Sequence, residues 1–239
     1  MIDLPVLPIL LITKYSPERE GIAERTLKTI ATLMDYPGGY KLYIADGSDN
    51  IEHAQNLDRI WANLMGGAAK IIHLQNTAGV VWNAGISQIF SDGHQWYYRS
   101  EDDFLLKENI DLTPYARVLL DRDDVGMVRL GLMPDGLNLH SIGWTDSTGH
   151  PGIYFDCLPS TPYAYSGNPG IVHKRLHDVA GWFHEEHNPG DIEIDFDYRV
   201  RMAMEKGGPR IWMPFALGGE TRTYGVYNHI GEVKSYESN

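Results

Sequence analysis

Strand-like and helix-like hydrophobic patterns alternate through the first half of the chain. Residues 9–13 (Ile-Leu-Leu-Ile-Thr) form an unbroken apolar run, the mark of a strand buried on both faces. Ser16, Pro17 and Glu18 then offer an N-cap, a proline suited to the first helical position and an acidic first turn. Ile22, Ala23, Leu27, Ile30, Ala31 and Met34 continue at helical spacing until Pro37, Gly38 and Gly39 stop it. The pattern next predicts strands over 41–45, 70–74 and 95–99, with helices over 51–65 and 80–90 between them. A helix over 111–120 and a strand over 125–130 follow. Such alternation builds βαβ units and a mostly parallel central sheet, so the expected class is α/β.

Over 131–162 the periodicity breaks, and Gly, Pro and Asp mix with scattered aromatics. This stretch reads as an irregular insertion, and long segments without periodicity are usually functional or mobile. Strands over 171–173 and near 210–213 then flank a helix over 192–205, and residues 224–234 read as irregular. With no repeat, low-complexity stretch or linker, the 239 residues are expected to form one domain with two halves, 1–103 and 104–239.

Hydrophobic residues make up 43% of the chain, enough for a real core. The net charge of −12 argues against a broad basic face for nucleic acid, though it allows a local basic groove. A lone cysteine, Cys157, forms no internal disulfide and fits a reducing, cytoplasmic setting. The apolar start carries Pro5 and Pro8 without a basic leader or cleavage site, so it does not read as a signal peptide. No run of about 18 apolar residues exists to span a membrane. Gly66-Gly67 is too little for a phosphate loop, and His184-Glu185-Glu186-His187 lacks the spacing of a zinc-protease motif.

Chemistry concentrates where the predicted fourth strand runs into Glu101, Asp102 and Asp103. Ligands of α/β sheets sit at the carboxyl ends of strands. Three acids gathered there are costly unless a cation neutralises them, and carboxylates with a diphosphate make a hard oxygen shell suited to Mg²⁺ or Mn²⁺. The plainer alternative is a solvated acidic turn.

Taken in order along nearly the whole chain, these features resemble the GT-A glycosyltransferases, especially the family-2-like group. The likeness rests on Thr13-Lys14-Tyr15 at the end of the first strand and on Asp46-Gly47-Ser48, one Asp short of the family's Asp-Asp-Gly-Ser. It continues through Asn76-Thr77-Ala78-Gly79, Trp82-Asn83-Ala84-Gly85 and Glu101-Asp102-Asp103, with Glu in place of the first Asp of the metal motif. In the second half it includes Tyr165-Ser166-Gly167-Asn168-Pro169 and the acid-rich stretch from Glu193 to Arg199.

The resemblance implies a GT-A, Rossmann-like nucleotide-sugar-binding domain, with donor binding in 1–103 and an acceptor-side half in 104–239. It implies a nucleotide sugar, taken as a UDP-sugar, contacted by Thr13, Tyr15, Asp46, Asn76, Gly79, Asn83 and Asp102, with Asp46 accepting from a uracil-like base. Asp103 is implied as a metal ligand, Glu101 as a ligand directly or through water, and His229 as a late metal or phosphate ligand. Glu193 stands in the position of the general base, with Asp195 as the alternative. Arg199 is expected to pair with Asp195 or Asp197.

The strings Val128-Arg129-Leu130-Gly131 and His229-Ile230-Gly231-Glu232 also resemble bacteriophage glycosyltransferases of the TET-associated kind. That likeness implies an acceptor of DNA bearing 5-hydroxymethylcytosine or a related 5-hydroxymethylpyrimidine, and a host cytoplasm. Phosphate contacts would then come from residues 131–162, His173-Lys174-Arg175, Arg199, Arg201, Lys206 and Arg210, and Trp144, Tyr154 and Tyr163 would be candidates to stack on an extruded base.

Two other functions compete. A nucleotidyltransferase would share the metal acids but wants a Gly-rich loop near the first strand, which is absent. An inactive nucleotide-sugar-binding module would fit the single Asp46 and the Glu at position 101, but not the retained Asp103, Glu193 and His229. The oligomeric state is not legible.

Overall fold

The N-terminal apolar run becomes β1 (Leu7–Thr13), buried at every position. In the computed structural model, which describes residues 4–130, 140–186, 188–214 and 226–231, β1 lies between two parallel neighbours. These are β3 (Tyr40–Asp46) and β5 (Trp96–Glu101). Helices α1 (Ile22–Leu33) and α2 (Glu52–Met65) cover one face of the sheet, where Leu7, Ile9 and Leu11 meet Leu27, Ile30, Leu57 and Trp61. Helix α3 (Ala78–Ser91) covers the other, where Leu10 and Ile12 meet Val81, Trp82, Ile86 and Ile89. Alternate side chains of a strand point to opposite faces, so a strand sandwiched between helices is apolar throughout.

Beyond β3 lies β4 (Lys70–His73), also parallel. The short β2 (Met34–Asp35) pairs with β7 (Ile110–Asp111), and β6 (Phe104–Leu106) leads away from β5. Helix α4 (Thr113–Asp121) precedes β8 (Val125–Arg129). Then come β9 (His140–Thr145), β10 (Pro151–Asp156), β11 (Gly170–His173), α5 (Lys174–Ala180), α6 (Pro189–Glu205), β12 (Arg210–Pro214) and β13 (Tyr227–His229). The main sheet has the order β4-β3-β1-β5-β11-β8-β12-β10-β9. Only β11 and β10 run against the other strands, so the expected mostly parallel α/β sheet is the one observed. Among the described residues no helix is long and apolar enough to cross a membrane.

Three expectations need correction. Ser16 does not cap α1: its side chain makes no cap hydrogen bond, and residues Pro17–Arg19 form a separate 3-10 turn. Gly21, at φ 72°, then redirects the chain before α1 starts at Ile22. This detour turns Arg19 inward, where it is 5% exposed.

The 131–162 insertion is not irregular throughout. Its described part folds as an antiparallel hairpin, β9 and β10, that extends the sheet beyond β12. Gly143, Pro151 and Gly152 dilute the apolar signal, and on β9 only Ile142 and Trp144 turn away from solvent. Residues 131–139 lie outside the described residues. So do His187, Tyr224, Gly225 and Glu232. Within 224–234, the expected irregularity gives way at β13, which pairs with β6 and sets His229 opposite Phe104.

Candidate active site

Strands β1 and β5 end side by side, with Ile12 in register with Glu101. A cavity of about 290 Å³ opens at their carboxyl ends. It gathers Thr13 from β1, Arg19, the acids Glu101, Asp102 and Asp103, Glu193 from α6 and His229 from β13. Ser166, Gly167 and Asn168 line it too, on the acceptor side of the expected fold.

Asp102 points inward. Thr13 Oγ1 donates to its Oδ2 at 2.8 Å, and Arg19 Nη2 donates to its Oδ1 at 2.5 Å. Burial pushes its carboxyl up to about 6, against the pull of Arg19. Its backbone carbonyl accepts from Thr26 Oγ1 on α1 at 2.6 Å, which fixes the turn. Thr13 Oγ1 also lies 2.9 Å from His53 Nε2.

Asp103 sits between Arg19 and His229. Its Oδ2 accepts from Arg19 Nη2 at 3.1 Å and lies 3.3 Å from His229 Nε2. Burial alone would raise this carboxyl, but His229 and Arg19 together hold it below the ordinary carboxylate value. The same hydrogen bond raises His229, whose ring also stacks on Phe104 with centroids 4.8 Å apart. Ile230 N donates to the Asp103 carbonyl at 2.9 Å and ties the incoming chain to the acid turn. Glu101 leans the other way, accepting from Arg99 Nη2 at 2.9 Å, and burial drives its carboxyl well above the ordinary range.

The donor chemistry here fits a hard divalent cation. Carboxylate oxygens and one imidazole suit Mn²⁺ or Mg²⁺. Asp103 Oδ1 is buried and meets no hydrogen-bond partner among the described residues, so a cation ligand would satisfy it. The side chains are not gathered around one point, however: among the described residues no group of three or more His, Cys, Asp or Glu forms a ready metal site. Arg19 supplies the positive charge beside Asp103 instead, and His229 Nε2 lies within reach of the same oxygen.

The remaining expected residues stand outside the cavity lining. Asp46 is fully buried, with Oδ1 accepting from Ser48 N at 3.1 Å and from the Ser48 hydroxyl, and Oδ2 2.8 Å from His73 Nδ1. Tyr15 is exposed, its N donates to Ser48 Oγ at 2.7 Å, and its ring stands 5.5 Å from that of His53. Asn76 Oδ1 accepts from Thr77 N at 2.8 Å. Gly79 lets α3 approach the His184 carbonyl, where any side chain would collide. Asn83 grips Phe183 through both backbone groups, at 2.9 and 3.0 Å. Asp195 is held by Arg199 Nε at 2.8 Å and lies 3.6 Å from His184 Nε2, while Asp197 is buried and paired with Arg201.

Most of the basic residues expected to meet phosphate are also engaged internally. Arg175 donates to the carbonyls of Arg122, Val125 and Leu119, Arg210 pairs with Asp156, and Lys174 pairs with Asp178. Trp144 and Tyr154 pack with Trp212 rather than lining the cavity, whereas Tyr163 is exposed. Cys157 is buried, and burial pushes its thiol up to about 12, which makes it inert.

Sequence reasoning missed Arg19 and Arg99. Arg99 had a signal, being a charged residue inside a predicted strand two positions before Glu101. Arg19 had none, since nothing local shows a side chain reaching an acid turn more than eighty residues away.

No protein-family model matches the chain, and no curated protein matches it in sequence. Solved structures do resemble it. S. aureus TarS gives a TM-score of 0.60 at 15% identity over 93% of this chain and 36% of its own. GalNAc-T7, solved with UDP, GalNAc and Mn²⁺, gives 0.57 at 12% identity over 90% of this chain and 43% of its own. The mannosyltransferase PcManGT from Pyrobaculum calidifontis, solved with GDP-Man and Mn²⁺, gives 0.52 at 13% identity over 91% of this chain and 58% of its own. The chain thus spans between about a third and three fifths of those proteins. At this identity the likeness establishes the fold, which is the GT-A fold.

Proposed function

We propose that the chain is a glycosyltransferase that moves a hexosyl group from a nucleotide sugar to a hydroxyl acceptor, with a divalent cation at Asp103. One observation carries this reading: Glu193 of α6 joins the acids of the β5 end in one cavity at the carboxyl edge of the sheet. The GT-A fold adds to it, as do UDP, GalNAc and Mn²⁺ in one similar structure and GDP-Man with Mn²⁺ in another.

Asp103, Glu101 and His229 are the side chains that would hold the cation, through Asp103 Oδ1 first. When bound, the cation would offset the charge that develops on the leaving diphosphate. Thr13, at the end of β1, sets Asp102 through a hydrogen bond and would contact the donor. Glu193 takes the proton of the acceptor hydroxyl as its oxygen bonds to the anomeric carbon. The bond from that carbon to the phosphate oxygen breaks, and its electron pair leaves with the nucleoside diphosphate.

The test is thermal melting with UDP- and GDP-sugars, with and without Mn²⁺. At least one sugar nucleotide is expected to raise the melting temperature in a Mn²⁺-dependent way. Asp103→Ala removes that dependence, and Glu193→Gln keeps it while lowering turnover by about 100-fold or more. Pyrophosphate as the product in place of a nucleoside diphosphate would replace this reading with nucleotidyl transfer. For the acceptor, 5-hydroxymethylcytosine in DNA is the finer proposal, and turnover on such DNA that falls steeply between low and moderate salt supports it. Turnover that ignores salt points to a carbohydrate or small-molecule hydroxyl.

A further inference from the structure

Arg99 is wholly buried and faces the same side of β5 as Glu101. A guanidinium taken out of water is costly unless charge and hydrogen-bond partners surround it. Here they come from several elements. Nη2 donates to Glu101 Oε1 at 2.9 Å and lies 3.8 Å from Glu193 Oε1, and Nη1 donates to the Tyr165 hydroxyl. The guanidinium lies over the Trp82 ring of α3 at 4.6 Å and beside the Phe183 ring at 5.6 Å. Its rotamer is therefore fixed by packing, and its planar fork offers a fixed edge to carboxylates.

Gly167 completes the arrangement. A Cβ at this position would overlap both Glu193 Oε1 and Glu101 Oε1, so the two carboxylates converge on the space that the missing side chain leaves. The backbone at Gly167 is not left-handed, so the glycine gives room rather than conformation, and the atoms a Cβ would displace are the ends of the two glutamate side chains. Two carboxyl groups this close repel each other when both are charged, and a cation at their shared edge relieves that repulsion. Arg99 Nη2 occupies that edge.

We infer that Arg99 is a positioning residue that holds the Glu193 carboxylate against Glu101 at the cavity wall, in the space Gly167 leaves open. The orientation of the base on α6 is thus set by the central strand β5. The inference rests on Glu193 acting as the base and adds what orients it.

Three variants test it: Gly167→Ala, Arg99→Gln and Arg99→Lys, with Glu193→Gln as reference. UDP-GlcNAc, UDP-GalNAc and GDP-mannose with Mn²⁺ serve as donors, DNA bearing 5-hydroxymethylcytosine or, failing that, water serves as acceptor, nucleoside diphosphate release is the readout, and donor Kd is measured separately. A displacement of about 1 Å costs on the order of 100-fold in rate. Gly167→Ala leaves Arg99 in place but crowds Glu101 as well as Glu193, so kcat is expected to fall by about 100-fold and by more than donor Kd weakens. Arg99→Gln shows the same split, and Arg99→Lys recovers part of kcat. Crystal structures of the variants are expected to show the Glu193 carboxylate displaced. Wild-type kcat in both Gly167→Ala and Arg99→Gln, alongside an impaired Glu193→Gln, overturns the inference. If the wild-type protein releases no diphosphate from any donor, the glycosyltransferase reading fails by itself. The position of Glu193 in the Gly167→Ala crystal then decides the geometry, and an unmoved carboxylate overturns it. A Glu193→Gln variant with full turnover removes the base assignment and the inference with it.

Discussion

Arg19 and Arg99 divide the cavity's acids between them, Arg19 taking Asp102 and Asp103 and Arg99 taking Glu101 and Glu193. That division explains how four carboxylates line one small space. Another buried residue has a measurable consequence away from the cavity. His177 is 6% exposed, with Nε2 2.8 Å from the Tyr97 hydroxyl and Nδ1 3.2 Å from the Gly181 carbonyl. Burial pushes its imidazole down to about 4. The folded protein therefore keeps it neutral at pH values where the unfolded chain, near 6.5, already binds a proton. Its contribution to stability is complete above pH 6.5 and drains away as pH falls toward 4, by about 3 kcal/mol. His173 is pushed to about 4 as well, so it acts in the same direction and the same window. Urea unfolding from pH 7 to 4 is expected to show falling stability, with a shallower slope in His177→Gln. An identical slope in that variant would show that the imidazole is not protected. None of this was legible from the sequence, where His177 is one of 10 histidines and the ring packed over it comes from a strand 80 residues away.

Elements with strong periodicity were legible, and their junctions were not. Strand β1 and helices α2 and α3 fall where the apolar spacing predicts them, because burial on one or two faces writes that spacing directly. The 3-10 turn before α1 was not legible, because Pro17 suits a first helical turn of either kind. The Asn and Gly positions on α3 show another limit. Residue type flags Gly79 and Asn83 as special, and the geometry gives them the task of seating the segment from Phe183 to Glu185 on α3. That segment carries Phe183, which packs edge-on against Trp82 in the wall behind Arg99. Asn83→Ala leaves a buried N–H and a carbonyl of Phe183 without partners, a cost of roughly 2 kcal/mol. Gly79→Ala gains about 1 kcal/mol of helix propensity but drives a methyl into the His184 carbonyl, so it is expected to be destabilising overall. Denaturant midpoints measure both, and limited proteolysis is expected to cut 182–186 faster in Asn83→Ala. Protection equal to wild type would mean that the segment is seated by Phe183 alone.

At the scale of the molecule, one sheet carries both halves of the chain, and the cavity lies where they meet. β11 inserts antiparallel between β5 and β8, so residues from the second half reach the end of β5 along a continuous sheet. This join is non-local, which is why the convergence of Glu101, Asp103, Glu193 and His229 on one cavity was expected only through a family resemblance, never from spacing. The far edge is built differently. The β9–β10 hairpin attaches through β12 and through Trp144 and Tyr154 resting on Trp212, while most of β9 faces solvent. Regions with few buried contacts open with small free energies, and core strands open only near global unfolding. Amide exchange is therefore expected to be slowest in β1 and β5 and fastest, among the main-sheet strands, in β9. Trp144→Ala removes one ring of the anchor and is expected to speed exchange in β9 and β10 while leaving β1, β5 and nucleotide-sugar binding unchanged. Faster exchange in β5 in that variant would mean that the hairpin and the cavity belong to one cooperative unit. The acceptor-side edge would then be coupled to donor binding through β12, β8 and β11.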